Sequence, residues 1–271
     1  MKIYAIRDRT DRTGKDLGWL LYFEADGTFY TELPREADPA RTPMPFDAFL
    51  EKGKFTVGAE WSGRWVRERI VPAERQNLPS VLKAYGLEEY DEYRMLVKND
   101  GKCEQDDFYL TEVEEKDLPE EILDRFGRKV RDAVALEDGR MLLFLRDGSV
   151  RLWDPAPFFA ASPRFGVIAR DPGLFREVRV QSGGYGVRWD ENLEILYPDL
   201  FDLSVSIPLP AGWYPSAVCA TVLTAGEAAE MLGCSRQYIS ELTRKGRLSP
   251  LKETGNGSLF LRSDILEILW N

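Results

Sequence analysis

The sequence predicts a multidomain α+β protein. Two mixed α/β domains with antiparallel hairpins come first, followed by a small C-terminal unit of two short helices, a hairpin and a last helix. Three observations carry this reading. Alternating apolar and polar runs are punctuated by Asp-Gly or Asn-Gly pairs at 26–27, 138–139, 147–148 and 256–257, the strongest short hairpin signals. The helical stretches between them are short and carry their own capping residues. The length of 271 residues exceeds one typical domain and suits two or three, with 44% hydrophobic and 12% aromatic residues to fill their cores.

Composition excludes several function classes. The chain has no histidine, which removes Ser-His-Asp and Cys-His nucleophilic machinery and histidine-ligated metals. Cys103, Cys219 and Cys234 are odd in number and widely spaced, so they suggest neither a disulfide framework nor a zinc site. No cofactor is expected. No apolar run approaches the roughly 20 residues of a membrane span, and residues 1–6 enter a strand rather than a signal peptide, so a reducing cytoplasm is the expected location. The net charge of −10 is uneven. Residues 1–127 hold 19 Lys and Arg against 28 Asp and Glu, residues 128–210 hold 11 against 12, and residues 223–271 hold 6 against 6.

Taken in order, an acidic α+β domain is expected over residues 1–112. Strands are predicted at 2–6, 18–24 and 28–33, then a Pro-rich loop at 34–45 and a short helix at 46–51. Trp61 and Trp65 stand among Arg64, Arg67 and Arg69, a pattern expected to form a half-buried aromatic face with arginine stems laid over it rather than a base-stacking platform. A helix over 79–85 ends at Gly86, another starts near Asp91, and a strand follows at 106–110. Glu104, Asp106 and Asp107 read as a solvated acidic turn rather than a cation site. In Arg69, Val71, Pro72, Arg75, Asn77, Gly86, Leu87, Tyr90, Asp91, Asp106 and Asp107 this stretch resembles the N-terminal subdomain of HipA-type toxin kinases. The kinase core of that family is absent, so the resemblance implies an accessory or regulatory module. Residues 113–128 are strongly charged and expected to form a linker with one short helix, Pro119 in its first turn.

The middle domain, 129–207, is predicted from strands at 130–137, 141–146 and 149–153 joined by Asp-Gly turns. A helix starts near Asp154, an Asp171-Pro172 helix start follows, and three more strands lie at 177–181, 186–190 and 193–196. Gly183, Gly184 and Gly186 lack the following helix a phosphate loop needs, so a hairpin turn is expected there. The two Asp-Gly hairpins, the Asp171-Pro172 turn and Trp189 resemble, in that order, a family of small bacterial domains known as domain of unknown function 2442, some members of which carry a following helix-turn-helix. No catalytic role is implied. Residues 208–222, rich in Pro and Gly at the start, are expected to be a second linker.

Residues 223–271 are the most informative. Thr224 and Glu227 form a capping box, Gly233 breaks the helix, Ser235 caps a second one, and Gly246 after Arg244 and Lys245 ends it. Ile239 and Leu242 face the first helix. Gly233 is expected to take a positive φ, and a valine there to press the helices apart. Extended runs at 248–252 and 258–261 flank Asn256-Gly257, and Ser263-Asp264 opens a last helix. This order of helix-turn-helix, wing and capping helix resembles the winged DNA-binding domain of MerR-type regulators and phage excisionases. The second helix of a helix-turn-helix reads the major groove. The candidate DNA-binding residues are therefore Ser235, Arg236, Gln237, Tyr238 and Ser240 on that helix, Arg244 and Lys245 at its end, Lys252 and Asn256 on the wing, and Arg262 beyond it. No catalytic or metal site is expected.

The function expected is sequence-specific transcriptional regulation, non-enzymatic, with double-stranded DNA as partner and no membrane. An autoregulated toxin–antitoxin-like locus is one context. A charge-balanced module on an acidic body should bind DNA weakly alone, so a homo-oligomer or a partner protein is expected. The alternative is a protein-interaction role in which residues 1–207 grip a partner and the C-terminal unit only recruits DNA.

Overall fold

The computed structural model describes residues 1–190, 192–255 and 257–271. The chain divides into two compact units, Met1–Asp124 and Arg125–Asn271. Both are mixed α and β with antiparallel sheets, as the sequence predicts. Among the described residues, no helix is long and apolar enough to cross a membrane.

The first unit is built on a five-stranded sheet of β1 (Lys2–Asp8), β2 (Gly18–Phe23), β3 (Thr28–Glu32), β4 (Thr56–Val57) and β5 (Phe108–Val113), in the order β4-β3-β2-β1-β5. The β2–β3 turn is set by Gly27 at φ +67° and by Asp26, whose carboxylate accepts the N–H and hydroxyl of Thr28. Every residue of β2 is buried, consistent with a central strand covered on both faces. Helices α1 (Asp47–Glu51), α2 (Ala59–Arg67), α3 (Leu78–Tyr85) and α4 (Glu92–Lys98) follow. Trp65 and Val66 of α2 and Met95 and Leu96 of α4 join Tyr4, Ile6, Leu20 and Tyr22 in one core.

Several residues of the 69–107 stretch hold the first unit together. The Arg69 guanidinium lies 3.9 Å over the Trp65 ring and donates to both Asp106 oxygens, at 2.5 and 3.3 Å. Tyr90 donates to the Val71 carbonyl, Asp91 caps α4 by accepting the Arg94 N–H, and Gly86 ends α3 at φ +67°. The acidic turn is thereby accounted for: Asp106 holds Arg69, and Asp107 holds Arg9 at 3.0 Å. Trp65 is buried, and Arg64 lies 5.2 Å over the partly buried Trp61, the half-buried aromatic face expected.

Residues 113–128 carry the one short α-helix expected of them. Helix α5 (Glu120–Gly127) forms with Pro119 just ahead of it, and Leu118, Ile122 and Phe126 are buried.

The second unit opens with β6 (Val130–Ala135), β7 (Met141–Leu145) and β8 (Val150–Trp153), joined by the two Asp-Gly turns, with Gly139 and Gly148 at positive φ. Three short helices, α6 (Ala156–Ala161), α7 (Gly166–Arg170) and α8 (Pro172–Arg176), bring Phe159, Phe165 and Phe175 against Trp189. Asp171 caps α8 through the N–H groups of Gly173 and Leu174, and the Trp189 indole donates to the Phe175 carbonyl at 3.1 Å. A small sheet of β9 (Arg179–Val180), β10 (Gly186–Arg188) and β11 (Glu194–Leu196) runs in the order β11-β10-β9, with residues 182–184 forming the turn. Helix α9 (Tyr197–Leu203) leads into β12 (Ser204–Ser206), which pairs with β8 and completes the sheet β12-β8-β7-β6.

The expected second linker is also structured. After a single turn at Ala211–Trp213, helix α10 (Tyr214–Thr221) carries Pro215 in its first turn. The chain then enters β13 (Val222–Thr224), α11 (Ala225–Met231), α12 (Arg236–Arg244), β14 (Lys252–Thr254), β15 (Gly257–Leu261) and α13 (Arg262–Trp270). The three strands form a sheet in the order β13-β15-β14. The first wing strand is Lys252–Thr254 rather than 248–252, because Leu248 turns inward and is buried. The last helix starts at Arg262, one residue ahead of the Ser-Asp pair.

Candidate nucleic-acid interface

The interface is assembled by local signals. Thr224 accepts the Glu227 N–H at 3.3 Å, and the Glu227 carboxylate accepts the Thr224 N–H at 2.7 Å and its hydroxyl at 2.8 Å, the reciprocal capping box. These bonds, the one from the Thr224 backbone foremost, hold the Glu227 carboxyl below its ordinary pKa. Helix α11 ends at Gly233, whose φ is +62°, and the Cys234 N–H returns to the Ala229 carbonyl at 2.9 Å. Ser235 then caps α12 by accepting the Tyr238 N–H at 3.2 Å. Gly246 at φ +69° closes α12, and the Arg247 N–H reaches the Leu242 carbonyl.

Packing decides which face of α12 is free. Ile239 and Leu242 are buried with Ala228 and Ala229 of α11, Phe260 of β15 and Ile265 of α13. Ala228 and Ala229 are small, which suits the close approach of two crossing helices. Cys234 packs at the edge of the same core. The opposite face of α12 is left to solvent: Ser235, Arg236, Gln237, Tyr238, Ser240 and Arg244 are all exposed.

Within that face the side chains are arranged, not scattered. The Arg236 guanidinium leans back over α11, where a Cβ on Gly226 would meet its Nη2 at 2.8 Å. The lack of a side chain at Gly226 therefore makes room for Arg236. Ser240 donates to the Arg236 carbonyl at 3.2 Å, which occupies its hydroxyl hydrogen within the helix. Lys245 is exposed and forms an i,i+4 pair with Glu241 at 2.6 Å. Such solvated pairs are worth less than about 1 kcal/mol and release cheaply. Lys252 is exposed at the start of β14, opposite Leu259. Asn256 lies outside the described residues.

Arg262 is placed elsewhere. Its guanidinium donates to the Asp132 carboxylate and, at 2.8 Å, to the Ala133 carbonyl, both on β6. It is engaged with the middle sheet rather than grouped with the exposed residues of α12. Arg247, not among the candidates, is exposed between α12 and the wing and adds a cation there. Two structural parts of the site carried weak sequence signals: Gly226, whose role needs the position of Arg236, and β13, whose partners lie 35 or more residues away in β15.

The turn glycine yields a prediction. No heavy atom lies within 4 Å of a Cβ built on Gly233, so the first added carbon does not crowd the two helices. What remains is backbone strain at φ +62°, about 1–3 kcal/mol for a β-branched residue. Gly233→Val should lower hydrogen-exchange protection after residue 222, and Gly233→Asn, which tolerates the left-handed region, should do so far less. Equal losses in the two variants would mean that the backbone angle is not what the turn requires.

Among the described residues, no group of three or more Cys, Asp and Glu side chains is placed to hold a metal ion. No curated protein and no solved structure matched the chain in comparison. Residues 222–271 match the family model described as a helix-turn-helix domain, the span that runs from β13 to the end of α13, and this part of the chain is a helix-turn-helix domain.

Proposed function

We propose that this protein is a sequence-specific DNA-binding transcriptional regulator whose α12 enters the major groove N-terminus first. The observation that carries the reading is the two-sidedness of α12. Ile239 and Leu242 seat it in the core, while Arg236, Gln237 and Tyr238 stand exposed at its start and Arg244 and Lys245 at its end. Arginine and glutamine make two-bond contacts with guanine and adenine edges, and cations at the helix end and on the wing suit phosphates. Ser235, Ser240, Lys252 and Asn256 complete the proposed contact set.

The module holds 6 basic and 6 acidic residues, so one copy offers few net positive charges to a phosphate backbone. Action as a homo-oligomer, or with a partner protein, follows from that balance. An autoregulated toxin–antitoxin-like locus is a context suggested only by the resemblances of the first two domains, which no comparison matches.

The test is selection of duplexes from a randomised library by the full-length chain, followed by a salt titration of the enriched sequence. An enriched motif, with log affinity falling by about 0.9 per neutralised phosphate against log salt, is expected. A library unchanged after several rounds would overturn the reading.

A further inference from the structure

The contact between Arg262 and Asp132 has a mirror beside it. Arg131 of β6 donates to Asp264 of α13 at 2.6 Å and lies 3.5 Å from Glu267, one turn along the same helix. Next to it, Asp132 accepts from Arg262, the first residue of α13, while the Asp132 side chain is only 4% exposed. Strand and helix thus each present one sign and then the other.

Neighbouring residues of a regular strand point to opposite faces. Here the register of β6 against β7 shifts between Val130 and Asp132, a bulge that leaves Arg131 without an opposing residue on β7. That irregularity lets two consecutive side chains address one helix.

Such pairing is a poor stabiliser. Burial pushes the Asp132 carboxyl above its ordinary pKa, more than Arg262 and the Ala133 N–H pull it down. Desolvation offsets much of the attraction in a buried ion pair. Its larger effect is on alternatives: a docking shifted by two residues along α13 would set Arg131 against Arg262 or Asp132 against Asp264, and like charges in contact are strongly disfavoured. Helix α13 in turn shares its Ile265 with the core that seats Ile239 and Leu242. Whatever orients α13 orients α12.

We propose that Arg131 and Asp132 of the middle sheet are positioning residues for DNA recognition, fixing through Arg262 and Asp264 the angle at which α12 is carried. The proposal rests on the DNA-binding reading above for its functional meaning, and the experiment separates the two. In the full-length chain with Cys103, Cys219 and Cys234 replaced by alanine, nitroxide labels would be placed by Asp147→Cys in the middle domain and Ser249→Cys in the C-terminal module. A single narrow distance distribution is expected. Asp132→Arg should broaden it at least about twofold, and the double variant Asp132→Arg with Arg262→Asp should narrow it again, as reversal of a specific pair requires. Should Asp132→Arg fail to fold, Arg131→Ala removes one pair more gently and should broaden the distribution in the same direction.

The second arm uses duplexes enriched by the wild-type chain, with two half-sites moved apart by half a helical turn. Wild type should prefer one spacing by about tenfold, the unclamped variant by less than about threefold, with binding to a single half-site unchanged. An unbroadened distribution, or a broadened one with spacing preference intact, would overturn the proposal. If wild type enriches no duplex, the DNA-binding reading fails and the label distances alone still decide whether the clamp sets the angle.

Discussion

Gly186→Ala is expected to destabilise the second unit by about 3 kcal/mol or more, at the upper end of what a single methyl does. The reason is space. A Cβ at Gly186 would lie 2.1 Å from the Ile195 carbonyl oxygen and 2.9 Å from its carbon, on the strand paired with β10, and 2.7 Å from the Gln181 side chain. Side chains can turn away, but a carbonyl held in a ladder cannot move without breaking the pairs Gly186↔Leu196 and Val187↔Ile195. The strands would have to part, and β11 leads directly into α9 and β12. Denaturant titration should show the unfolding midpoint of residues 125–271 displaced while that of residues 1–124 stays in place. Gly212→Ala is the control: no atom lies within 4 Å of its added Cβ, and its change should stay within about 0.5 kcal/mol. A comparably small change for Gly186→Ala would show that the sheet yields, and that the close approach is not required.

The second large effect concerns recognition. Gln237→Ala and Arg236→Ala should each relax selectivity at particular base pairs, because a good two-bond contact to a base edge is worth about 1–3 kcal/mol. Lys245→Ala and Lys252→Ala should weaken all sequences alike, each lowering the salt slope by about one. The Lys245 value should come out smaller, since that ammonium is already paired with Glu241. Gly226→Ala supplies a further check on Arg236. The methyl would meet the guanidinium at 2.8 Å and push it off α11, so selectivity should shift without loss of any contacting residue. Parallel titrations on the selected duplex and on variants with single base changes separate the two classes. A change of base preference in Lys252→Ala, with none in Gln237→Ala, would make the wing the reading element.

The parts of the fold legible in the sequence are those whose causes are local. The capping box of Thr224 and Glu227, the Ser235 cap, the Asp-Gly turns and the αL glycines at 86, 233 and 246 each act within a few residues. The same holds for the division of α12 into a buried pair, Ile239 and Leu242, and a polar face. What stayed hidden depends on partners far along the chain. Strands β12 and β13 are three residues long and are strands only because β8 and β15 lie beside them. Helix α10 follows a Pro- and Gly-rich run that reads as loop, although Pro215 is itself a helix-start signal. In the 113–128 segment the short helix is legible from Pro119, while the burial of Ile122 and Phe126 is not. Arg262 stands near the wing, where a cation suits phosphate, and its ion-pair partner lies 130 residues earlier.

The strand order of the first unit also bears on how the protein is made. β1 lies between β2 and β5, so one of its two neighbours is available within 25 residues and the other only after residue 108 has been synthesised. Until then one edge of β1 and the faces later covered by α2 and α4 have nothing to pair with. At about 5–20 residues per second, that interval lasts several seconds on the ribosome. Once β5 has joined β1, the strand order of the first unit is complete before any residue of α12 has been translated.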